Sequence, residues 1–525
     1  MRFFTTEGPV NCQDHYCLPP LARFDLEDVM ALIAQKKYFL LHAPRQTGKT
    51  TCLLALAEYL NRSGDYCAVY ANIEGAQAHR ENVDKGMTTV ITDIAAWAHS
   101  LVRDADVESL ARSVLDTTTP GSALGVFLTR WCEQMDKPLV LMLDEVDALV
   151  GDTLISLLRQ LRAGYPKRPD QFPQTVILCG VRDLQDYRIQ SSTEKTAITG
   201  GSAFNIKAKS LRLGDFNQEE TIRLLSEHTA ETGQVFTPEA LELVWRFTNG
   251  QPWLVNALAY ETTWEMRAGR DRSQPITSGM IQEAKENLIL RRVTHLDQLA
   301  DKLREPRVRR VVEALLTGDP GPDAIPPDDV TYVRDLGLIK TEGQLSIANP
   351  IYQEVIPREL TFSTQLTIAQ NPAWYIRRDG QLDMPKLLEA FQQFFRENSE
   401  AWLEGFNYRE AGPQLLMQAF LQRIINGGGR VDREYGLGRR RTDLLVLWNH
   451  PAGVQRVVIE LKLLRGSLEA TLQEGLAQTW EYTDRCGAEA AHLVIFDRRP
   501  GKSWDERLWR RAESYRNLPI TVWGM

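Results

Sequence analysis

Nine consecutive residues near the N-terminus, Ala-Pro-Arg-Gln-Thr-Gly-Lys-Thr-Thr, combine a glycine, a lysine and hydroxyl side chains. In a loop of this pattern, backbone N–H groups bind phosphate oxygens, the lysine reaches the β- and γ-phosphates of a nucleotide, and the next hydroxyl ligates Mg²⁺. The spacing assigns Lys49 to the phosphates and Thr50 to the metal. The whole run is predicted to contact the nucleotide: Ala43, Pro44, Arg45, Gln46, Thr47, Gly48, Lys49, Thr50 and Thr51.

A second candidate element is an apolar run, residues 138–143, that ends in acidic residues. Asp144 is predicted to hold Mg²⁺ through water, and Glu145 to polarise the water that attacks the γ-phosphate. The two elements fit the Walker A and Walker B patterns, with Ala43 in place of the first glycine. Together they predict an ATP site that uses Mg²⁺.

A third candidate lies near the C-terminus, where two β-rich runs flank a His-Pro-Ala-Gly turn and predict a hairpin. If the turn is centred between Pro451 and Ala452, Asp443 faces Glu460 across the strands, with Cβ atoms about 5 Å apart. Lys462 shares the face of Glu460, because alternate residues of a strand point the same way. The intervening residues are predicted to enter a core: Val457, Ile459 and Leu461.

Two close carboxylates suit a divalent cation, Mg²⁺ by preference with Mn²⁺ as an alternative, so Asp443 and Glu460 are the predicted ligands. The neighbouring Lys462 is predicted to orient a water or stabilise a phosphoryl oxygen, which is the chemistry of metal-assisted phosphodiester hydrolysis. In the helix predicted downstream, Gln478 and Tyr482 share a face because they are four residues apart. The alternative is an edge hairpin with a surface salt bridge.

The elements around the first site must hold the loop at the end of a strand. A buried strand is predicted before the loop, and an apolar helix at 51–61 after it, with its N-terminal dipole towards the phosphates. Further β-rich runs occur at 66–72 and 174–183, and 66–72 is predicted to be the strand between the two motifs. Strands alternating with helices predict an α/β fold with a parallel sheet covered on both faces.

Three features are predicted to surround the nucleotide. The end of the 174–183 strand carries Arg182 and Asp183, either of which is a candidate to report on the γ-phosphate, with Arg182 preferred. A Gly-Gln-Pro turn, Gly250 to Pro252, separates two helices. Tyr16 precedes the first helix and is a candidate to pack on the adenine ring, with surface packing as the alternative.

The first region resembles AAA-like P-loop ATPases of the signal-transduction (STAND) class, in which a Gly-x-Pro element of a helical lid senses the nucleotide. That resemblance implies nucleotide contact at Pro252. The C-terminal Asp…Glu-x-Lys, Gln-x-x-x-Tyr helix and following strand resemble the PD-(D/E)xK nucleases of the RecB-like variety. That resemblance implies a restriction-endonuclease-like α/β domain with a catalytic core at Asp443, Glu460 and Lys462, assisted by Gln478 and Tyr482.

These nucleases often have an acid on their first helix, for which the candidates are Glu410 and Gln414. The Pro that usually precedes the Asp is absent, and Thr442 takes its place. The arginines at 439–441 are candidates for phosphate-backbone contact or for a solvated turn. The predicted domains are an ATPase core (1–200), a helical lid (201–302), a winged-helix-like domain (303–362), a connector (363–395) and a nuclease-like domain (396–525). The winged helix is expected to contact DNA or to act as a structural or autoinhibitory module.

Charge and composition limit the remaining partners and locations that the protein can have. The net charge is −8, yet residues 401–525 hold 18 Lys and Arg against 15 Asp and Glu, a net of +3, so nucleic acid, with DNA favoured, is expected there. The sequence contains no run of 18 apolar residues, so no membrane-spanning helix is predicted. The seven scattered cysteines predict neither a zinc site nor a disulfide framework and fit a reducing cytoplasm.

The sequence thus predicts an ATP-regulated, Mg²⁺-dependent deoxyribonuclease, with a role in defence against foreign or mobile DNA by analogy alone. A homo-oligomer is expected from the ATPase resemblance. One alternative is a nucleotide-dependent signalling switch or scaffold whose nuclease-like domain only binds DNA or a partner. A translocase is a further alternative, disfavoured because no helicase motif accompanies the Walker pair.

Overall fold

The computed structural model describes most of the chain, namely residues 1–182, 188–190, 197–199, 205–291, 299, 301–317, 325–341, 345–360, 375–405, 416–418, 420–421, 429–432, 444–464, 466–497, 499 and 501–525. By their internal contacts, its residues form two compact units. The first unit comprises Met1–Val293 and Pro326–Ile351, and the second comprises Thr294–Ile325 and Tyr352–Met525. No described helix is long and apolar enough to cross a membrane.

The first unit is built on a five-stranded parallel sheet. Its strands and the small hairpin beside it are β1 (Tyr38–His42), β2 (Cys67–Asn72), β3 (Leu139–Asp144), β4 (Thr175–Gly180), β5 (Arg188–Gln190), β6 (Ala197–Thr199) and β7 (Lys207–Arg212). The five-stranded sheet has the order β2-β3-β4-β1-β7, and β5 pairs with β6. The predicted parallel sheet is confirmed. The prediction that 66–72 lies between the two motif strands is wrong, because β2 lies at the edge and β4 separates β1 from β3.

Alternating residues of these strands enter two separate cores. Tyr38 and Leu40 of β1 pack into one core, while Phe39 and Leu41 pack into the other. Strands buried on both faces explain the continuous apolar runs in the sequence. The helices of this unit are Leu26–Ala34, Lys49–Ser63, Val83–Val102, Val107–Thr117, Pro120–Glu133, Gly151–Gly164, Gln218–Thr232, Pro238–Thr248, Pro252–Tyr260, Arg267–Arg270 and Ser278–Leu290. A π-helical turn, Glu261–Glu265, continues the helix that starts at Pro252.

A later segment of the chain returns to the first unit. It contains the helix Pro327–Asp335 and a short antiparallel pair, β8 (Ile339–Lys340) and β9 (Ser346–Ile347). The preceding helix, Pro306–Thr317, belongs to the second unit. Helices and a short strand pair are therefore present among the described residues of 303–362, while the winged-helix assignment and the domain boundaries stay predictions.

The second unit holds a six-stranded mixed sheet of order β10-β11-β12-β13-β15-β14. Its strands are β10 (Gly429–Asp432), β11 (Leu444–His450), β12 (Gly453–Leu463), β13 (Ala490–Phe496), β14 (Trp509–Tyr515) and β15 (Leu518–Gly524). Strands β12, β13 and β15 run parallel, and the other pairings are antiparallel. The remaining helices are Pro350–Leu360, in which the boundary between the units falls, Met384–Gly405, Leu468–Cys486 and Trp504–Arg507.

The predicted hairpin has the predicted register. Leu444 pairs with Ile459 and His450 pairs with Gly453, so the turn is centred between Pro451 and Ala452. Alternate residues of β12 enter a core shared with the helix Met384–Gly405, as expected: Val457, Ile459 and Leu461. The opposite face of the sheet, which carries Glu460 and Lys462, is packed by the helix Leu468–Cys486.

Candidate functional site

The loop between β1 and its helix is closed by its own polar groups. Gln46 and Gly48 have positive φ angles of 58° and 93°, which turn the backbone sharply before the helix begins at Lys49. Lys49 is 6% exposed, and its ammonium donates hydrogen bonds to the carbonyl oxygens of Ala43 (2.9 Å) and Pro44 (3.0 Å). This lysine is therefore held inside the loop, where a phosphate could exchange with the two carbonyls. The Thr47 hydroxyl also donates to the Pro44 carbonyl, at 2.8 Å.

The Walker A and Walker B residues meet at the carboxylate of Asp144. The Thr50 hydroxyl donates to Asp144 Oδ2 at 2.7 Å, and the Tyr70 hydroxyl donates to the same oxygen at 3.1 Å. The backbone N–H of Glu145 donates to Oδ1 at 2.9 Å, and Asp144 is fully buried. Oxygen ligands of this kind suit Mg²⁺. The predicted pair Thr50 and Asp144 therefore fits a magnesium ion.

Glu145 follows in a left-handed backbone conformation, with φ 58°. Burial raises the pKa of its carboxyl, and the neighbouring charges of Asp147 and Asp144 raise it further. Lys49 and Arg45 act in the opposite direction. A carboxylate with a raised pKa, held beside a phosphate-binding loop, is suited to accept a proton from an attacking water.

Asp147 has a role that the sequence did not reveal. Its Oδ1 accepts a hydrogen bond from the N–H of Val181 at 3.2 Å. A Cβ on Gly180 would lie 2.6 Å from the same oxygen, so the strand end must be glycine for this contact. The acid thus ties the Walker B turn to the end of β4.

Arg182 follows β4, and its guanidinium lies 5.0 Å from the centre of the Tyr332 ring. Its contact with the γ-phosphate stays a prediction, and the alternative residue, Asp183, lies outside the described residues.

A pocket of about 750 Å³, measured with its opening to solvent, adjoins the N-terminal end of the P-loop helix. Its walls include the candidate residues Tyr16 and Pro252 together with Gly48 and Thr51. Tyr16 is buried, and its hydroxyl lies 3.2 Å from Nδ1 of His228. A largely apolar pocket beside a phosphate loop is suited to a nucleoside.

The Gly-Gln-Pro turn holds one side of this pocket. Gly250 has φ 77°, and a Cβ there would lie 1.9 Å from the carbonyl oxygen of Phe216, so another residue would force the backbone apart. The Gly250 carbonyl also accepts a hydrogen bond from the Phe216 N–H at 2.8 Å. These contacts fix Pro252 at the pocket wall.

Arg23 is a second residue that the sequence analysis missed. Its guanidinium donates to the carbonyls of Thr47 (3.3 Å) and Gly214 (2.6 Å) and lies 4.4 Å from the ring centre of Phe216. Burial lowers the pKa of Arg23. The residue connects the loop to the segment between β7 and the helix Gln218–Thr232, and nothing in its surrounding sequence marks it.

Four polar side chains meet above β12 in the second unit. The Lys462 ammonium lies 3.3 Å from Oε1 of Glu460 and 3.7 Å from Oε1 of Glu474. The Gln478 amide donates to the same Glu474 oxygen at 3.3 Å. Glu460 is fully buried, whereas the Glu474 side chain is 65% exposed. Glu474 was not predicted, although it lies four residues before Gln478 and hence on the same helix face.

Tyr482, the last residue of the predicted set, is buried in a small apolar cluster with Leu445 and Val458. Asp443 lies outside the described residues, as do Glu410, Gln414 and the arginines at 439–441. Among the residues that the structure does describe, no three His, Cys, Asp or Glu side chains are grouped as metal ligands. A second cation site at Asp443 and Glu460 therefore stays a prediction.

One disulfide departs from the expected cysteine chemistry. Cys12 and Cys17 are bonded, with Cα atoms 5.4 Å apart, while the other five cysteines are free. A turn explains the pairing, because the Asn11 carbonyl accepts hydrogen bonds from the N–H groups of Asp14 and His15. A separation of five residues does not by itself reveal such a turn.

No protein-family model and no curated protein matches the chain. Solved structures do match. A Walker-type ATPase of Pyrococcus abyssi is 16% identical, with a TM-score of 0.46 over 67% of this chain and 99% of that one. Cdc6p of Pyrobaculum aerophilum is 15% identical, with a TM-score of 0.36 over 65% and 93%. Drosophila ORC is 13% identical, with a TM-score of 0.35 over 73% and 80%.

The first of these neighbours is a Walker-type ATPase. Because each TM-score is below 0.5, the fold assignment rests on the first unit itself. Its five-stranded parallel sheet, the loop after β1 and the Thr50–Asp144 contact are consistent with a P-loop nucleotide-binding fold.

Proposed function

We propose that the protein binds and hydrolyses ATP in its first unit and thereby regulates Mg²⁺-dependent cleavage of DNA by its second unit. The observation that carries the ATP part is the 2.7 Å contact between Thr50 and Asp144 beside the enclosed Lys49 ammonium. The nuclease part is supported by the convergence of Glu460, Lys462 and Gln478 on one face of the sheet.

At the first site, Mg²⁺ would be held by the Thr50 hydroxyl and, through water, by Asp144. When bound, the ion would neutralise charge on the β- and γ-phosphates. The residues of the chain itself position the phosphates and the attacking water. Lys49 exchanges the Ala43 and Pro44 carbonyls for phosphate oxygens, and Glu145 accepts a proton from the attacking water.

The returning segment, residues 326–351, is placed to respond to the nucleotide. A Cβ on Gly337 would lie 2.7 Å from Cγ of Pro44, so this segment packs directly on the phosphate loop. Its Tyr332 ring lies under the Arg182 guanidinium. A change in the loop on nucleotide binding would therefore be transmitted to this segment.

The same segment also contacts the lid turn and the end of β7. The Asn249 amide, which precedes Gly250, donates to the Ala348 carbonyl at 2.8 Å. Arg212 donates to the Arg334 carbonyl at 3.3 Å. Residues of the second unit follow directly in the chain after Ile351. This segment is the proposed route by which ATP controls the second unit.

At the second site, a fully buried Glu460 beside Lys462 provides the carboxylate and cation that metal-assisted phosphodiester hydrolysis uses. Glu474 connects the helix to this pair through Lys462, and Gln478 donates to the same Glu474 oxygen. The hairpin register is the one that the pairing of Asp443 with Glu460 requires. Mg²⁺, or Mn²⁺ as the alternative, would be the cofactor. A homo-oligomer is part of the proposal, by resemblance alone.

The test is cleavage of plasmid, linear and single-stranded DNA with Mg²⁺ or Mn²⁺, in the presence and absence of ATP. Wild type is expected to cleave, and Glu460→Ala and Lys462→Ala are expected to lose activity. Glu481→Gln is the matched control, since this half-buried acid on the helix Leu468–Cys486 pairs with Arg485. Absence of cleavage by wild type under every condition would favour the switch or scaffold alternative, and cleavage by both site variants would refute the site.

A further inference from the structure

The Cys12–Cys17 disulfide lies at the wall of the nucleoside pocket. Cys17 itself lines the pocket, whereas Cys12 is exposed to solvent. The bond joins two stretches of the N-terminal segment that both contribute to the wall. The lining residues before the disulfide are Thr5, Thr6, Glu7, Gly8 and Val10, and those after Cys17 are Leu18 and Pro20.

The first of these stretches is docked on the nucleotide machinery. The Val10 N–H donates to the hydroxyl of Thr51, the residue after the magnesium-binding threonine, at 3.0 Å. The indole N–H of Trp253, next to Pro252, donates to the Thr6 carbonyl at 2.9 Å. The wall therefore bridges the P-loop helix and the lid.

The second stretch has independent anchors. The Tyr16 N–H donates to the Phe3 carbonyl at 3.0 Å, and the Tyr16 side chain is buried against Phe4 and His228. Closing the covalent ring ties the more exposed first stretch to this anchored one. A cross-link of this kind reduces the conformations available to the wall when the pocket is empty.

We propose that Cys12–Cys17 is a thiol–disulfide exchange site whose oxidation tightens nucleotide binding. The inference rests on nucleotide binding at the Walker loop and is independent of the nuclease. A reducing dithiol is the reactant class. Its thiolate attacks the exposed Cys12 sulfur, the S–S bond breaks, and Cys17 leaves as a thiolate that takes up a proton. The second reductant thiol, as thiolate, then attacks the reductant's sulfur in the mixed disulfide, which releases a reductant disulfide and the Cys12 thiolate, and this thiolate takes up a proton.

Other thiols of the first unit are poor competitors for this chemistry. Cys52 also lines the pocket, but it is 1% exposed and burial raises its pKa to about 11. Burial likewise raises the pKa of Cys67 to about 11 and that of Cys132 to about 12. Because the thiolate is the reactive form, these residues stay inert near neutral pH.

Oxidised protein is expected to bind ATP and ADP about tenfold more tightly than reduced protein, since a wall held in place avoids an ordering cost on binding. Full-length protein is equilibrated with oxidised glutathione or with dithiothreitol and titrated with each nucleotide in Mg²⁺. Thiols counted after denaturation should rise from five to seven on reduction. Cys12→Ser/Cys17→Ser should bind like reduced wild type with or without dithiothreitol, while Cys67→Ser should keep the redox response.

Equal nucleotide affinity in the two redox states would overturn the inference. So would seven free thiols after equilibration with oxidised glutathione, or a redox response that survives in the double variant. If neither redox state bound nucleotide, the proposed ATP site would be refuted together with the affinity effect. Equal but measurable affinities would refute the redox inference alone.

Discussion

Removing the Tyr70 hydroxyl tests the electrostatic design around Asp144. Tyr70 is 1% exposed and donates to the fully buried carboxylate at 3.1 Å, so Tyr70→Phe removes one of the two hydroxyl donors to Asp144 Oδ2 while the ring still packs. A hydrogen bond to a charged group contributes about 1.5–3 kcal/mol to stability. Near pH 8, the free energy of unfolding of the first unit should therefore be lower by that amount in Tyr70→Phe than in wild type.

The same bond predicts a dependence on pH. Burial, followed by the negative charge of Asp144, raises the pKa of Tyr70 well above its usual value near 10. Above that usual value the unfolded chain loses the Tyr70 proton and the folded chain keeps it, so the contribution of Tyr70 to wild-type stability falls by about 1.4 kcal/mol per pH unit. The Tyr70→Phe variant lacks this hydroxyl and therefore lacks this pH-dependent contribution to stability. The difference between the two proteins should therefore shrink as pH rises from 10 to 11.

The assay is unfolding in urea. The transition of the first unit is identified as the one that moves to higher urea concentration when nucleotide is added. Tyr38→Phe is the matched control, because that hydroxyl is equally buried but donates to a neutral carbonyl, that of Pro173, at 3.0 Å. Its loss should cost about 0.5–1.5 kcal/mol. A Tyr70→Phe variant as stable as wild type at pH 8, or a difference that grows above pH 10, would refute the role given to Tyr70.

Two further predictions concern one residue in each unit. Glu145→Gln should lower ATP turnover by about 100-fold or more while nucleotide affinity stays near that of wild type, because only proton acceptance is removed; loss of binding in a titration would contradict this. Burial, with Arg510 as a lesser cause, lowers the pKa of His492 to about 4, so the second unit should lose about 3 kcal/mol of stability as pH falls from 6.5 to 4. His492→Gln should flatten that part of the stability profile, and an unchanged profile would show that another group titrates.

Local patterns were sufficient to predict several parts of the structure. Continuous apolar runs identified β1, β3 and β4, and the glycine-lysine-threonine spacing identified the loop after β1. The register of the second-unit hairpin followed from the position of its turn, because each residue then has a single partner across the strands. These features depend on residues close together in the sequence.

Contacts between distant residues were not predictable in the same way. The place of β4 between β1 and β3 is set by packing of the whole sheet, so the sequence order of strands was misleading. Tyr70 reaches Asp144 across 74 positions, and Arg23 reaches Gly214 across 191. A single tyrosine or arginine has no neighbouring pattern that indicates such a partner. Glu474 is different, because helical spacing from Gln478 was available as a signal.

The most direct test of ATP control over the second unit is DNA cleavage by wild type, Lys49→Ala and Glu460→Ala, each with and without ATP. ATP should change the wild-type rate, Lys49→Ala should retain cleavage that ATP no longer affects, and Glu460→Ala should not cleave. The proposed coupling would be contradicted if Lys49→Ala matched wild type both with and without ATP.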